Sequence, residues 1–250
     1  MDNPTSLLEE MAWPEAKEAL KSARLGLVPV GSLEQHGPHL AMASDAVLTY
    51  EFTKRLAEAV QPRAVVTAPI AFGVSAHHMA FPGTVTLRPQ TLIALAEDIG
   101  ISLKQHGITH VLFVNGHGGN RDALGVASDR LRFEHGLKAA HCLWPTLGWI
   151  EGMQAASSTR VGHSCEMEVS MAMHLSPRHV KADRLSEGEF IDTPLRHTGP
   201  LGVAVPRPFD EITANGAFEG APKAREELGA IIVAAALGRL VEFIEDFLRY

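Results

Sequence analysis

The chain has 250 residues, of which 46% are hydrophobic and 20% charged, with a formal net charge of −7. This is the composition of a globular protein with a full core, and it excludes a disordered or fibrous chain. With no run of Lys or Arg there is no electrostatic footprint for nucleic acid or an anionic membrane surface, and no apolar run is long enough to span a bilayer. Cys142 and Cys165 lie far apart and unpaired in spacing, which fits a reducing compartment. The acidic N-terminus lacks a basic segment followed by an apolar one; a cytoplasmic protein is expected.

In chain order, LGLVPVG at 25–31 predicts a strand, and DAVLTYEFTKRLAEAV carries apolar residues at helical spacing, Val47, Leu48, Phe52, Leu56 and Val60. AVVTAPIAFG at 64–73 reads as the next strand, and residues 89–107 as a helix opened by Pro89 and closed by Gly107. THVLFVNG at 109–116 is a buried strand, NRDALGVASDRLRFEHG a helix and LKAAHCLW a further strand. Residues 166–175 and 222–248 read as helices. The proline-rich stretch between them predicts loops, with an edge hairpin around GVAVP and GAFEG. The alternation implies one α/β/α domain over residues 1–250 with a mostly parallel sheet.

Ligands of such sheets bind outside the carboxyl ends of the strands, where this sequence collects its ligand-type residues. The first loop carries Glu34, His36, His39 and Asp45; the second His77 and His78; the third Asn115, His117 and Asn120; and GHSCEMEVS adds His163, Glu166 and Glu168. Each has an ordinary reading: a lone His as a hydrogen-bonded residue, Asp45 as a helix N-cap before Ala46, Glu166 and Glu168 as partners of a helix dipole. Their coincidence on one rim points instead to metal. Imidazoles and carboxylates without a thiolate pair suit Zn²⁺, Mn²⁺ or Fe²⁺, and a bridging carboxylate would allow two ions. NGHGGN matches neither the dinucleotide nor the P-loop fingerprint.

Four blocks in order, VPVGSLEQHGPHL with Asp45, AFPGTVTL, VNGHGGN and HSCEMEVS, closely resemble the creatininase family of metal-dependent amidohydrolases, over roughly residues 28–175. The resemblance implies a single α/β/α domain, two divalent ions per chain with Zn²⁺ first in expectation, and a homohexamer built as a trimer of dimers. Carried over by motif, Glu34 and His117 are ligands of one ion, His36 of the other, Asp45 bridges them and His163 is catalytic. The enzyme that names the family has a glutamate two residues after the histidine of the third block, where this chain has Gly119. Glu168 is the expected substitute ligand, with a catalytic role besides.

Ser164–Cys165 replaces the family's Ala–Gly, and Val169 its Thr. The implied reaction is hydrolysis of a C–N bond in a small polar molecule, with His78 and Trp144, beside His77 and Trp149, as candidate substrate walls. A peptidase acting on a small modified peptide and a catalytically silent assembly protein on the same scaffold are the alternatives.

Overall fold

The computed structural model describes residues 5–192 and 205–250. Strands β1 (Leu25–Val30), β2 (Ala64–Val66), β3 (His110–Asn115) and β4 (Lys138–Leu143) form an all-parallel sheet in the order β2-β1-β3-β4. Leu25 of β1 pairs with Ala64 on one side and His110 on the other, and His110 pairs with Lys138. Central strands buried on both faces must be apolar throughout, and β1 is buried at all six positions.

Side chains along β1 alternate between two cores. Leu25 and Leu27 join Leu112 and Val114 in a layer completed by α2 (Ser44–Ala59), α6 (Glu166–Leu175) and α7 (Glu226–Phe247). Val28 and Val30 join Val111 and Phe113 beneath α3 (Pro89–Gln105) and α4 (Arg121–Phe133). The expected three layers are therefore present. Because α2 leaves β1 on one face and α4 leaves β3 on the other, the carboxyl ends of these adjacent strands open a crevice between diverging loops. Among the described residues no helix is long and apolar enough to cross a membrane.

Several expectations need correction. The strand expected over 64–73 pairs only at 64–66; after Thr67 the chain leaves the ladder and touches β1 again at Ile70. Residues 202–204 of the expected hairpin lie outside the described residues. Its other arm, 216–220, is a turn in which Gly216 and Gly220 have positive φ. Helix α2 starts at Ser44, so Asp45 lies in its first turn and makes no N-cap bond. Trp144, expected as a substrate wall, is 1% exposed: its indole stacks on Phe52 at 4.2 Å and donates to the Thr49 hydroxyl at 3.0 Å. It is core. Two short helices, α1 (Trp13–Ala19) and α5 (Trp149–Ala155), carry no signal in the sequence reading.

Candidate metal centre

Glu34, His36 and Asp45 come from the loop after β1 and the first turn of α2, His117 from the loop after β3, and His163 and Glu168 from the entry to α6. Asp45 lies between two groups. Its Oδ2 is 3.2 Å from His117 Nδ1, which is 3.1 Å from Glu34 Oε1. Its Oδ1 is 3.2 Å from His36 Nε2, which is 3.8 Å from Glu168 Oε1.

Backbone carbonyls set the ring orientation of both imidazoles. His36 Nδ1–H donates to the Glu34 carbonyl at 3.1 Å and His117 Nε2–H to the Val74 carbonyl at 3.0 Å, so each turns its other nitrogen toward Asp45. A metal-binding histidine is held in this way. The Ser75 hydroxyl donates to Glu34 Oε2 at 2.5 Å and leaves Oε1 facing inward.

Glu34 Oε1 and Asp45 Oδ2 are buried without a hydrogen-bond partner. Leaving carboxylate oxygens so costs several kcal/mol unless a cation answers them, and the donor set fits divalent ions. Glu34, Asp45 and His117 form one candidate group; His36, Glu168 and His163 form another. The proton affinities agree. Burial alone would keep His36 and His117 neutral, but the carboxylates push His36 up to about 10 and His117 well above its ordinary value. Against its own burial, Asp45 is held ionised by His36 and His117, while burial pushes Glu168 up against the pull of His36. The cluster binds protons where it lacks cations.

The departures in the fourth block have structural partners. Ser164, at a φ of 53°, donates its hydroxyl to the His36 carbonyl at 2.6 Å, and His39 Nε2 lies 3.0 Å from the Ser164 carbonyl. These bonds tie the two ligand loops together, which makes His39 a structural residue. The Ser164 amide donates to Glu168 and orients that carboxylate without the hydroxyl that Val169 lacks. Asn115 and Asn120 likewise staple loops: Asn120 donates to the Gly31 carbonyl and accepts from the Val74 amide. Glu166, fully buried, accepts from the amides of Ser157 and Ser158 and from Arg225, away from the cluster.

A cavity of about 300 Å³ opens over the cluster. Glu34, Asp45, His117, His163 and Glu168 form its polar wall with His77 and His78; Leu143, Pro145, Trp149, Met171 and Phe209 form an apolar one. Phe209, from the stretch without periodicity, stacks on His78 at 4.4 Å. Sequence reading gave no weight to Phe209, Ser75 or Gln35, although Gln35 stands between two ligand-type residues.

The family model described as "Creatininase: Creatinine amidohydrolase" matches residues 9–244. The chain belongs to the creatininase family. It is 36% identical over 185 residues to the mycofactocin precursor peptide peptidase of Mycolicibacterium smegmatis, covering 72% of this chain and 66% of that protein. It spans 62% of the corresponding peptidase of Mycobacterium ulcerans, also at 36% identity. With the creatinine amidohydrolase of Pseudomonas putida it shares 26% identity over 95% of both chains. A solved structure described as creatininase with Mn superposes with a TM-score of 0.83 at 25% identity, over 97% of this chain and 99% of that one; another is described as Zn–Zn type.

Within this hydrolase family, the third block of this chain has no room for a glutamate. A Cβ on Gly119 would lie 2.2 Å from the Val74 carbonyl oxygen and 2.5 Å from His117 Nε2. Glu168 Oε1 lies on the His36 side of Asp45, 3.8 Å from His36 Nε2.

Proposed function

We propose that this chain is a metal-dependent hydrolase that cleaves the C–N bond of an amide in a small molecule. The observation that carries it is the pair of buried carboxylate oxygens on Glu34 and Asp45 that accept no hydrogen bond, facing the inward nitrogens of orientation-locked histidines beneath a cavity. In this reading Glu34, Asp45 and His117 hold one divalent ion, and His36, Asp45 and Glu168 a second, with Zn²⁺ favoured over Mn²⁺ or Fe²⁺. Bound there, such ions supply Lewis acidity, polarising a carbonyl and acidifying water toward neutrality.

The protein's own groups do the rest. Burial, then His36 and His78, keep His163 well below the ordinary histidine range, so its ring stands neutral. Its Nε2–H is held by the Gln35 carbonyl at 2.7 Å, which leaves Nδ1 facing the cavity, 3.7 Å from Glu34 Oε1. From there it takes a proton from water and returns it to the leaving nitrogen. Glu168, already turned by the Ser164 amide, orients that water. The apolar wall thins water around the substrate and strengthens each of these contacts.

A peptide substrate is the second reading. Its support is the apolar wall of Leu143, Pro145, Trp149 and Met171, which suits a side chain next to the amide better than a bare polar ring does, together with the names of the mycobacterial relatives. The proposal extends to a cytoplasmic homohexamer, which sedimentation velocity tests.

The deciding experiment is elemental mass spectrometry on protein purified without added metal, followed by hydrolysis assays on cyclic amides, formamides and short peptides. Near two ions per chain with turnover of one class supports the proposal and selects between its two forms. Protein that takes up no metal on reconstitution and hydrolyses none of the panel overturns it in favour of a silent assembly role.

A further inference from the structure

The third cluster of potential ligands, Glu34, His78 and His163, lines the cavity. Its hydrogen bonds decide what it binds. The Gly37 amide donates to Gln35 Oε1 at 2.9 Å, which identifies the oxygen end of that side-chain amide. The amide is held in this pose: Gly216, with φ of 76°, approaches so closely that a Cβ there would lie 2.0 Å from Gln35 Oε1. Gln35 Nε2 therefore faces His78 Nδ1, at 2.8 Å. An amide nitrogen only donates, so Nδ1 accepts and the ring proton of His78 sits on Nε2. That N–H is 3.4 Å from Glu34 Oε1, yet Oε1 accepts no hydrogen bond, so the donor remains unspent.

The same residue sets His163 the other way. His163 Nε2 lies 2.7 Å from the Gln35 carbonyl oxygen and 3.1 Å from Gln35 Nε2; the shorter contact needs a proton on His163 Nε2, since two lone pairs at that distance repel, and Gln35 Nε2 gives its hydrogen to the nearer His78 Nδ1. The two rings, 4.5 Å apart and both against Phe209, thus present one donor and one acceptor to the cavity. A metal ligand needs a lone pair at the coordinating atom, and His78 Nε2 has none.

We propose that His78 is an N–H donor to the carbonyl oxygen of the substrate, fixed in that tautomer by Gln35 as a positioning residue, and that this third cluster takes substrate and not a third ion. The inference rests on the amide-hydrolase reading for the identity of the oxygen, but not for the tautomer. A donor so placed strengthens its bond as the oxygen gains charge, the role of an oxyanion-stabilising group.

The test is magic-angle-spinning ¹⁵N NMR of histidine-labelled protein, with and without added Zn²⁺, the His78 signals being assigned by their loss in His78→Gln. The expected spectrum shows His78 with a pyrrole-type Nε2 and a pyridine-type Nδ1 under both conditions. Gln35→Glu, which turns the donor into an acceptor, should exchange the two; if it does not fold, Gln35→Met should give a mixture of tautomers. A pyridine-type or zinc-shifted Nε2 in the wild type overturns the proposal, as does a tautomer indifferent to the Gln35 substitutions. Neither readout needs turnover, so a failed activity screen leaves the tautomer result standing on its own.

Discussion

Gly119 is crowded by the loop that ends in Val74, and Gly119→Ala tests that crowding. The new Cβ would meet the Val74 carbonyl oxygen at 2.2 Å, His117 Nε2 at 2.5 Å and His77 Cε1 at 2.9 Å. Val74 cannot retreat, because its amide is held by Asn120 at 2.8 Å and the next amide, of Ser75, by Thr86 at 2.8 Å. The 117–119 loop must therefore move, breaking the bond from His117 to Val74. Overpacking of this kind costs about 1–3 kcal/mol, and the lost hydrogen bond about 1 more. A total of about 3 kcal/mol corresponds to a fall in Tm of roughly 6–12 °C for a chain of this length. Misplacing His117 should also weaken uptake of one ion about 10–100-fold, the usual worth of an orienting contact. Differential scanning calorimetry and Zn²⁺ titration against a chelator read both effects. Gly119→Glu should be no milder. A Gly119→Glu protein with unchanged Tm and tighter binding of the second ion would refute the reasoning, because the loop would then accept the carboxylate whose place Glu168 is argued to take.

Glu168→Gln should keep the fold and lower metal content toward one ion per chain by elemental analysis; two tightly held ions would remove Glu168 from the ligand set. His163→Ala should leave metal content intact while kcat falls about 10²–10⁴-fold on whichever amide is turned over, and loss of an ion would make it a ligand instead. Glu166→Gln should spare metal binding but cost about 2–3 kcal/mol in urea unfolding, since a buried carboxylate that accepts from two backbone amides and Arg225 becomes a neutral amide. Burial, with Lys138 and Arg24 nearby, pushes His110 down to about 4. The unfolded chain then binds the extra proton between about pH 6.5 and 4, so stability is full above this window and falls as pH drops through it, by on the order of 3 kcal/mol. His110→Asn should flatten the decline of Tm across that range relative to wild type; parallel curves would remove His110 as a cause.

The two central strands and the long helices are readable in the sequence because burial on both faces demands unbroken apolar runs and helical faces demand their own period. The same uniformity hides which side a residue faces. Leu143 lines the cavity while its neighbour Trp144 sinks into the core, and no pattern in LKAAHCLW distinguishes them. The run 64–73 is apolar enough for a strand, yet Ile70 makes its only further bridge to β1. For the site, Glu34, His36, Asp45, His117, His163 and Glu168 stand out by residue type and meet as the motif spacing implies. Gln35 and Ser75 are legible only through their partners, because an amide or hydroxyl that orients a ligand carries no compositional mark of its own.

The cavity draws its two walls from different sources. The charged wall hangs on the ends of β1 and β3 and on the first turns of α2 and α6, where any shift propagates into the sheet. The apolar wall comes from Leu143 at the end of β4, Pro145 and Trp149 in the segment after it, Met171 of α6, and Phe209. Substitutions at Pro145, Trp149 and Phe209, which lie outside both the sheet and α6, can therefore change what is admitted while leaving the charged wall in place. A scaffold divided this way can exchange specificities by small steps in two short segments, each intermediate keeping its chemistry while its diet changes.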